Sequence, residues 1–182
     1  ISVCLVGSEM CIRDSSYTAD FIRSSWLPLT SGQELQVHLV GDSHVILENI
    51  RVRLNNSGSN LLRNPGVMSP TQSSASGWVC QGTHWASFMD AGKLNLISDG
   101  HGDNKANRAE VDFQTSPVVG NSYTLSFDGR WVSGKPRVIM QTLDHGFGTS
   151  LLLPIPEDLG TPGGPNSALL PSAAPTVSEV IH

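Results

Sequence analysis

The chain has 182 residues, of which 38% are hydrophobic and 15% charged, and its formal net charge is −5 at pH 7. This hydrophobic fraction is too high for a disordered tail, and 18 glycines and 11 prolines interrupt the chain too often for a helical bundle. With only 11 Lys and Arg, the chain lacks the basic field that nucleic acid or an anionic membrane requires. No apolar run approaches the roughly 20 residues of a spanning helix. We therefore expect a folded domain, alone or with pieces of its neighbours, with no nucleic acid partner and no membrane span.

The first fifteen residues include EMCIRDS (9–15), which resembles an in-frame translation of a sequencing-library adapter. We expect residues 1–15 to be a non-native leader that has no part in the fold, like an expression tag. The apolar stretch 1–6 is too short for a secretory signal peptide and lacks a basic flank. Because Cys4 and Cys11 lie in this leader, Cys80 remains alone, and we expect neither a disulfide nor a cysteine-based zinc site.

Period-two alternation of apolar and polar residues predicts two strands at 33–40 and 44–54, joined as a hairpin by the turn at 41–43. The apolar phase changes within the second strand, which predicts a β-bulge near Glu48 and Asn49. The polar joint at 55–59 (NNSGS) is a predicted domain boundary.

The middle of the chain alternates in the same way and has no helical pattern. Residues 122–132 direct Tyr123, Leu125 and Phe127 to one face, and 137–143 are the expected hairpin partner. The other predicted strands lie at 61–63, 77–83, 85–90, 93–98, 108–113 and 150–153. Many short strands at regular turn spacing are typical of an antiparallel β-sandwich, so we predict an all-β fold. Residues 154–175 are rich in Pro and Gly and predict a C-terminal linker.

Several segments resemble jelly-roll carbohydrate-binding-like modules, which have a galactose-binding-like β-sandwich. The similar segments are NLLRNPGV (60–67), Gly77–Trp78 and SYTLSFDGRWVSGKPRV (122–138), while HVILENIRV (44–52) resembles the closing strand of such a module. Residues 153–167 resemble the close of these modules in very large secreted bacterial proteins that also carry lamin-tail and CotH domains. The resemblance implies that 16–55 ends a preceding module, 56–153 forms a complete jelly roll, and 176–182 begins a truncated immunoglobulin-like domain.

The same resemblance implies partners, a location and a cofactor. The expected location is secreted or at the cell surface. The expected partners are a polysaccharide or cell-surface glycan and neighbouring domains of the same chain. Family modules often ligate a structural calcium with a glutamate near the first strand, where this chain has Met68. Structural calcium is therefore left open as a cofactor.

The tryptophans are the natural candidates for sugar binding, because a pyranose ring stacks on an aromatic plane while polar neighbours bind its hydroxyls. We expect Trp78 in the core. The candidate ligand-binding residues are Trp85 with its neighbour His84, Trp131 with its neighbour Arg130, and Arg137, which Asp112 and Gln141 would assist if they share its face. The alternative for both tryptophans is packing within the sandwich.

One loop carries candidate metal ligands. Asp99, Asp103 and Asn104 are the candidate ligands, and calcium needs about 6–8 oxygens, so outside carboxylates such as Glu110 or Asp112 would have to join them. The alternative is a polar turn between strands.

Catalytic patterns are weak. Gly41–Ser43 (GDS) superficially resembles the nucleophile block of GDSL-type esterases, but the chain has no Asp-x-x-His to supply the base. Glu110 and Asp112 share one strand face, which we expect to be solvated rather than a glycosidase pocket. We therefore expect a non-catalytic carbohydrate-binding-like module rather than an enzyme. The alternatives are a structural spacer or adhesion module without a ligand and, less favoured, a fragment of a secreted hydrolase.

Overall fold

The chain is seen in a computed structural model that describes residues 15–22, 34–102, 106–142 and 148–153. Short runs of β-branched and large apolar residues, separated by Gly and Pro, form strands throughout these ranges. The strands are β1 (Ser15–Ile22), β2 (Glu34–Leu39), β3 (Asp42–Leu54), β4 (Val79–Gln81), β5 (Phe88–Asp90), β6 (Lys93–Asp99), β7 (Arg108–Asp112), β8 (Ser122–Gly134), β9 (Arg137–Thr142) and β10 (Gly148–Leu152). Two 3₁₀ turns, Ser74–Ser76 and Gly82–His84, are the helical segments of the described residues.

The strands form two five-stranded sheets. Sheet A has the order β1-β8-β3-β6-β5, and sheet B has the order β10-β9-β2-β7-β4. Every pairing between these strands is antiparallel. The predicted all-β antiparallel sandwich is therefore confirmed. In the described part of the chain, no helix is long and apolar enough to cross a membrane.

The interior is formed by the apolar residues of alternating parity on both sheets. Tyr123, Leu125 and Phe127 are all buried, as their alternation predicted, and Trp78 is fully buried with its indole N–H donating to Pro65 O at 2.8 Å. The other large buried side chains include Leu35, Val37, Val45, Leu47, Val52, Leu94, Leu96, Val111, Val138 and Met140. Burial of this surface is the main force that holds the sheets together.

The predicted β-bulge is confirmed in β3. The register against β8 shifts between Glu48 and Arg51, and Asn49 lies in the left-handed region with φ 54°. The extra residue brings Ile50 and Val52 back to the buried face, which explains the change of apolar phase in the sequence.

Both predicted hairpins are wrong. β2 and β3 are consecutive in the chain but lie in different sheets, and so do β8 and β9. Alternation identifies which residues face the interior, but both sheets face the same interior, so it does not select the partner strand. The strand predicted at 61–63 is reduced to one bridge, between Leu62 and Phe113.

The β2–β3 and β8–β9 connections, which both cross from one sheet to the other, pack against each other. The Lys135 amide donates to Asp42 O at 3.4 Å and to Ser43 Oγ at 3.0 Å, and Ser43 Oγ donates to Val40 O at 2.9 Å. Gly134 has φ 75°, and a Cβ there would collide with the Asp42 backbone. The buried serine of the GDS motif therefore makes its hydrogen bonds within a corner of the fold.

The sheet order does not match the predicted domain boundary between residues 55 and 56. β2 lies between β9 and β7, and β3 lies between β8 and β6, so strands from both sides of that position build the same two sheets. The physical reason is that β2 and β3 supply central rows of the common core. The predicted linker at 154–175, the predicted domain start at 176–182 and residues 1–14 of the predicted leader lie outside the described residues.

Candidate functional site

The outer face of sheet B carries polar side chains on its four neighbouring strands β4, β7, β2 and β9. These side chains alternate with the core residues, and the pairings place Gln36 opposite both Glu110 and Gln141 and place Gln81 opposite Arg108. We call this set the polar face. It consists of Glu34, Gln36 and His38 of β2, Gln81 of β4, Arg108 and Glu110 of β7, and Gln141 of β9.

Two carboxylates and one guanidinium form one half of the polar face. Gln81 Nε2 donates to Glu110 Oε1 at 2.8 Å, and Arg108 Nε donates to Glu110 Oε2. Arg108 Nη2 also reaches Glu34 Oε1 at 3.5 Å. One cation thus lies between two acids, which leaves a formal charge of −1 on the three ionised groups.

Amides and an imidazole form the other half. Gln36 Nε2 donates to Glu34 Oε1 at 2.7 Å, and Gln141 Nε2 donates to Gln36 Oε1 at 2.9 Å. Gln141 Nε2 also lies 3.3 Å from His38 Nε2, while His38 Nδ1 lies 3.0 Å from Asn107 O. Because a backbone carbonyl only accepts, Nδ1 carries the proton and Nε2 accepts. Together the two halves form a continuous hydrogen-bonded network across four strands.

The polar face has a buried floor and a half-buried rim. Glu34, Gln36 and Glu110 form the floor, with exposed fractions of 6%, 3% and 7%. The rim consists of Gln81, Arg108, His38 and Gln141, one from each strand, and all four are half-buried. The expectation that Glu110 lies on a solvated face is wrong, because its carboxylate is held by Gln81 and Arg108 beneath the rim.

Burial changes the proton affinity of two groups in the polar face. It raises the pKa of Glu34 above the ordinary 4.5; the hydrogen bond from Gln36 opposes this rise, and the nearby Glu110 adds to it. Burial also lowers the pKa of His38 below the ordinary 6.5, against the effect of its hydrogen bond to Asn107. The network therefore favours a neutral His38 at neutral pH.

Of the two tryptophans predicted to bind a ligand, Trp85 is the more exposed. It follows the turn Gly82–His84 that leaves β4, and 72% of its surface is accessible. Phe88, on the edge strand β5, is also exposed, with 46% accessible. Trp85 comes four residues after Gln81 of the rim and lies just beyond the edge strand β4. Its neighbour His84, in contrast, is buried.

The structure does not bring the other predicted binding residues together. Trp131 is half-buried against the core, and its indole N–H donates to Gly134 O at 3.0 Å. Arg130 lies opposite Ile46 in sheet A, whereas Arg137 is exposed on β9 of sheet B. Arg137 has the same strand parity as Gln141, which places it further along the outer face of sheet B.

The predicted metal loop is described only in part. Asp99 is exposed, and its carboxylate accepts from the His101 amide at 2.9 Å, which is the bonding of a polar turn. Asp103 and Asn104 lie outside the described residues. Among the residues that are described, no three His, Cys, Asp or Glu side chains are grouped to hold a metal ion.

The sequence linked Asp112 with Gln141 and Glu110 with Asp112 but did not link Glu110 with Gln141, and it did not identify Glu34, Gln36, His38, Gln81 and Arg108 as site residues. One signal was present: the outward parity of β2 carries three planar polar side chains, Glu34, Gln36 and His38. Their partners on other strands and loops lie 69 to 105 positions away in the chain, and only strand pairing identifies them.

Comparison of the chain with known protein families, with curated proteins and with solved structures finds no match to any of them.

Proposed function

We propose that this sandwich is a non-catalytic glycan-binding module and that the rim of the polar face is its binding surface. The observation that carries the proposal is the hydrogen-bonded network across β4, β7, β2 and β9, which fixes one planar polar side chain per strand at the rim. Side chains that are already held in place lose little freedom when a ligand arrives, so the network favours binding.

The rim offers both donors and acceptors to sugar hydroxyls. A guanidinium has five N–H donors, of which Arg108 gives Nε–H to Glu110 and one Nη2–H to Glu34. The amide oxygens of Gln81 and Gln141 accept no hydrogen bond from within the described ranges. A hydroxyl both donates and accepts, so adjacent donors and acceptors on a sheet surface suit a polyhydroxylated ligand.

Trp85 adds the apolar part of such a site. An exposed indole gives the C–H face of a pyranose a flat surface on which to stack, and Trp85 follows closely after Gln81 in the chain. In this proposal the rim orients the hydroxyls of one part of a glycan and Trp85 packs against another part.

The arrangement of the carboxylates supports a binding role over hydrolysis. A general acid must reach the atom that it protonates, whereas Glu34 and Glu110 lie in the floor and are engaged by Gln36, Gln81 and Arg108. The resemblance to jelly-roll carbohydrate-binding-like modules supports a parent protein that is secreted or at the cell surface, in which this sandwich is linked to neighbouring domains.

A structural spacer without a ligand is the second candidate. It is favoured by the closure of the network, because the floor groups satisfy one another and a buried polar layer of this kind stabilises a sheet without any ligand. The two functions differ at the rim: a spacer needs the rim for stability only, whereas a binding module loses affinity when the rim is changed without loss of folding.

The test is glycan-array screening of the full chain, followed by titration with the retained glycans. We expect Gln141→Ala to weaken binding roughly three- to tenfold, the equivalent of one lost hydrogen bond. Gln114→Ala, which removes an exposed glutamine elsewhere, is the matched control and is expected to bind as the wild type does. Trp85→Ala is expected to weaken binding, and Trp85→Phe to restore part of it. If no neutral, acidic or amino glycan is retained, or if Gln141→Ala and Trp85→Ala bind unchanged, the proposal is wrong.

A further inference from the structure

The turn that carries Trp85 is fastened to the sandwich through a buried histidine. His84 ends the 3₁₀ turn Gly82–His84, between β4 at the edge of sheet B and β5 at the edge of sheet A. Only 1% of its surface is exposed. The imidazole of His84 makes no hydrogen bond to a residue of the polar face, so this side chain has a structural role of its own.

Both ring nitrogens of His84 have defined partners. The Leu39 amide donates to His84 Nε2 at 2.9 Å, and His84 Nδ1 lies 3.0 Å from Thr83 Oγ1. Because Nε2 accepts, it carries no proton, and the neutral ring holds its proton on Nδ1. The pairing of β2 with β7 ends at Val37, so the imidazole takes the place of a backbone acceptor at the end of β2.

Other bonds hold the turn to different elements. The Thr83 amide donates to Asn107 Oδ1 at 3.0 Å, just before β7. Three residues after the turn, Ser87 Oγ accepts from the Ile97 amide of β6 at 2.9 Å. His84 supplies the bond to β2, which is the strand that carries the floor residues Glu34 and Gln36.

We propose that His84 is a positioning residue that holds Trp85 in place only while its imidazole is neutral, so that acid releases the turn and displaces the indole. A protonated ring has N–H donors on both nitrogens, and its Nε2–H would then face the donating Leu39 amide. Two donors at this distance repel, and a charge at a buried position is costly, so the bond to β2 breaks.

The ionisable groups around His84 shift its pKa in opposite directions. Burial lowers the pKa of His84 to about 4, and His38 on β2 adds to this effect, while Asp99 at the end of β6 opposes it. On β7 the ionisable side chains of Arg108 and Glu110 are paired with each other. The release is therefore expected at about pH 4, which lies below the ordinary pKa of 6.5 for a histidine.

The inference does not require the proposed function, because its test follows the position of Trp85 and not a ligand. Proton–nitrogen NMR spectra of the full chain are recorded from pH 7 to pH 3, and the indole signal of Trp85 is assigned by its loss in Trp85→Phe. We expect the Nδ1–H tautomer of His84 at pH 7, and we expect the Leu39 amide and the Trp85 indole signals to move together near pH 4. The indole signal of the buried Trp78 is expected to stay in place through the same range.

His84→Gln separates the positioning role from acid unfolding. A glutamine oxygen accepts from the Leu39 amide but does not gain a proton, so the movement of the Trp85 signal near pH 4 should disappear in this variant. If His84→Gln does not fold, the wild-type titration alone decides. The inference is overturned if His84 titrates without movement of Trp85, if Trp78 and Trp85 move together in global unfolding, or if a folded His84→Gln keeps the transition.

Discussion

The inner face of sheet B and the floor of its polar face are both buried, but they are held by different forces. The inner face carries Leu35, Val37, Val111 and Met140, which pack by the hydrophobic effect and dispersion and need no particular partner atoms. The floor of the polar face carries Glu34, Gln36 and Glu110, whose oxygens and nitrogens need complete hydrogen bonding. Low exposure alone therefore does not identify a core: on the inner face it reflects hydrophobic packing, and on the polar face it reflects a network whose geometry is fixed.

The largest expected effect tests the inner face. Met140 and Gln141 are adjacent in β9 and point to opposite faces, and Met140 is fully buried. We expect Met140→Ala to lower the free energy of unfolding by about 2–5 kcal/mol, since it removes buried methylenes and leaves a cavity. Gln141→Ala is the matched control, with an expected loss of about 0.5–1.5 kcal/mol for one hydrogen bond. Urea denaturation measures both, and equal losses would show that the two faces are not held differently.

The next effect tests whether the polar face depends on its cation. Arg108→Met keeps an unbranched side chain but leaves Glu34 and Glu110 without the guanidinium between them. We expect the free energy of unfolding at pH 7 to fall by about 1–3 kcal/mol, because a buried acceptor that has lost its donor is desolvated without a compensating hydrogen bond. The loss should shrink at lower pH, where the carboxylates take up protons. A loss that is independent of pH would indicate packing rather than charge.

A smaller expected effect is the pH dependence of stability that the titration of Glu34 produces. Because burial raises the folded pKa of Glu34 above 4.5, the folded state binds this proton more tightly than the unfolded state does. The stability that this group contributes is therefore complete below about pH 4.5 and is lost as the pH rises through the folded pKa. We expect the stability of the wild type relative to Glu34→Gln to increase as the pH falls from 7 towards 4.5, measured by denaturation at each pH. The opposite slope would contradict the raised pKa.

The smallest effect lies outside both faces of sheet B, in the hairpin of β5 and β6. Ala91 and Gly92 both have positive φ, at 46° and 78°, and Ala91 is exposed. An alanine in this region is strained, whereas Asn-Gly is the favoured pair for a two-residue turn of this kind. We expect Ala91→Asn to raise the free energy of unfolding by up to about 1 kcal/mol. A thermal melt measures the gain, and an unchanged or lower melting temperature would count against the strain.

Much of the sandwich could be predicted from local pattern, and much of the site could not. The alternation at Tyr123, Leu125 and Phe127 predicted a buried face, and the change of phase near Glu48 and Asn49 predicted the bulge. The same alternation in β2 indicated which parity faces the core, but it did not indicate that Glu34 and Gln36 of the other parity are buried as well. The exposure of a residue on the outer face depends on the side chains of other strands that pack over it, so it cannot be predicted from the sequence of its own strand.

The sequence by itself determined that the chain folds as short antiparallel strands around a shared apolar interior, because side-chain direction in a strand has a period of two residues and apolar residues avoid water. Only the tertiary structure decided that β2 lies between β7 and β9 and that Gln81, Arg108 and Gln141 therefore meet around Glu34, Gln36 and Glu110. The physical reason is that the choice of partner strand depends on contacts across the whole sandwich, which connect residues far apart in the chain and leave no local signature in any one strand.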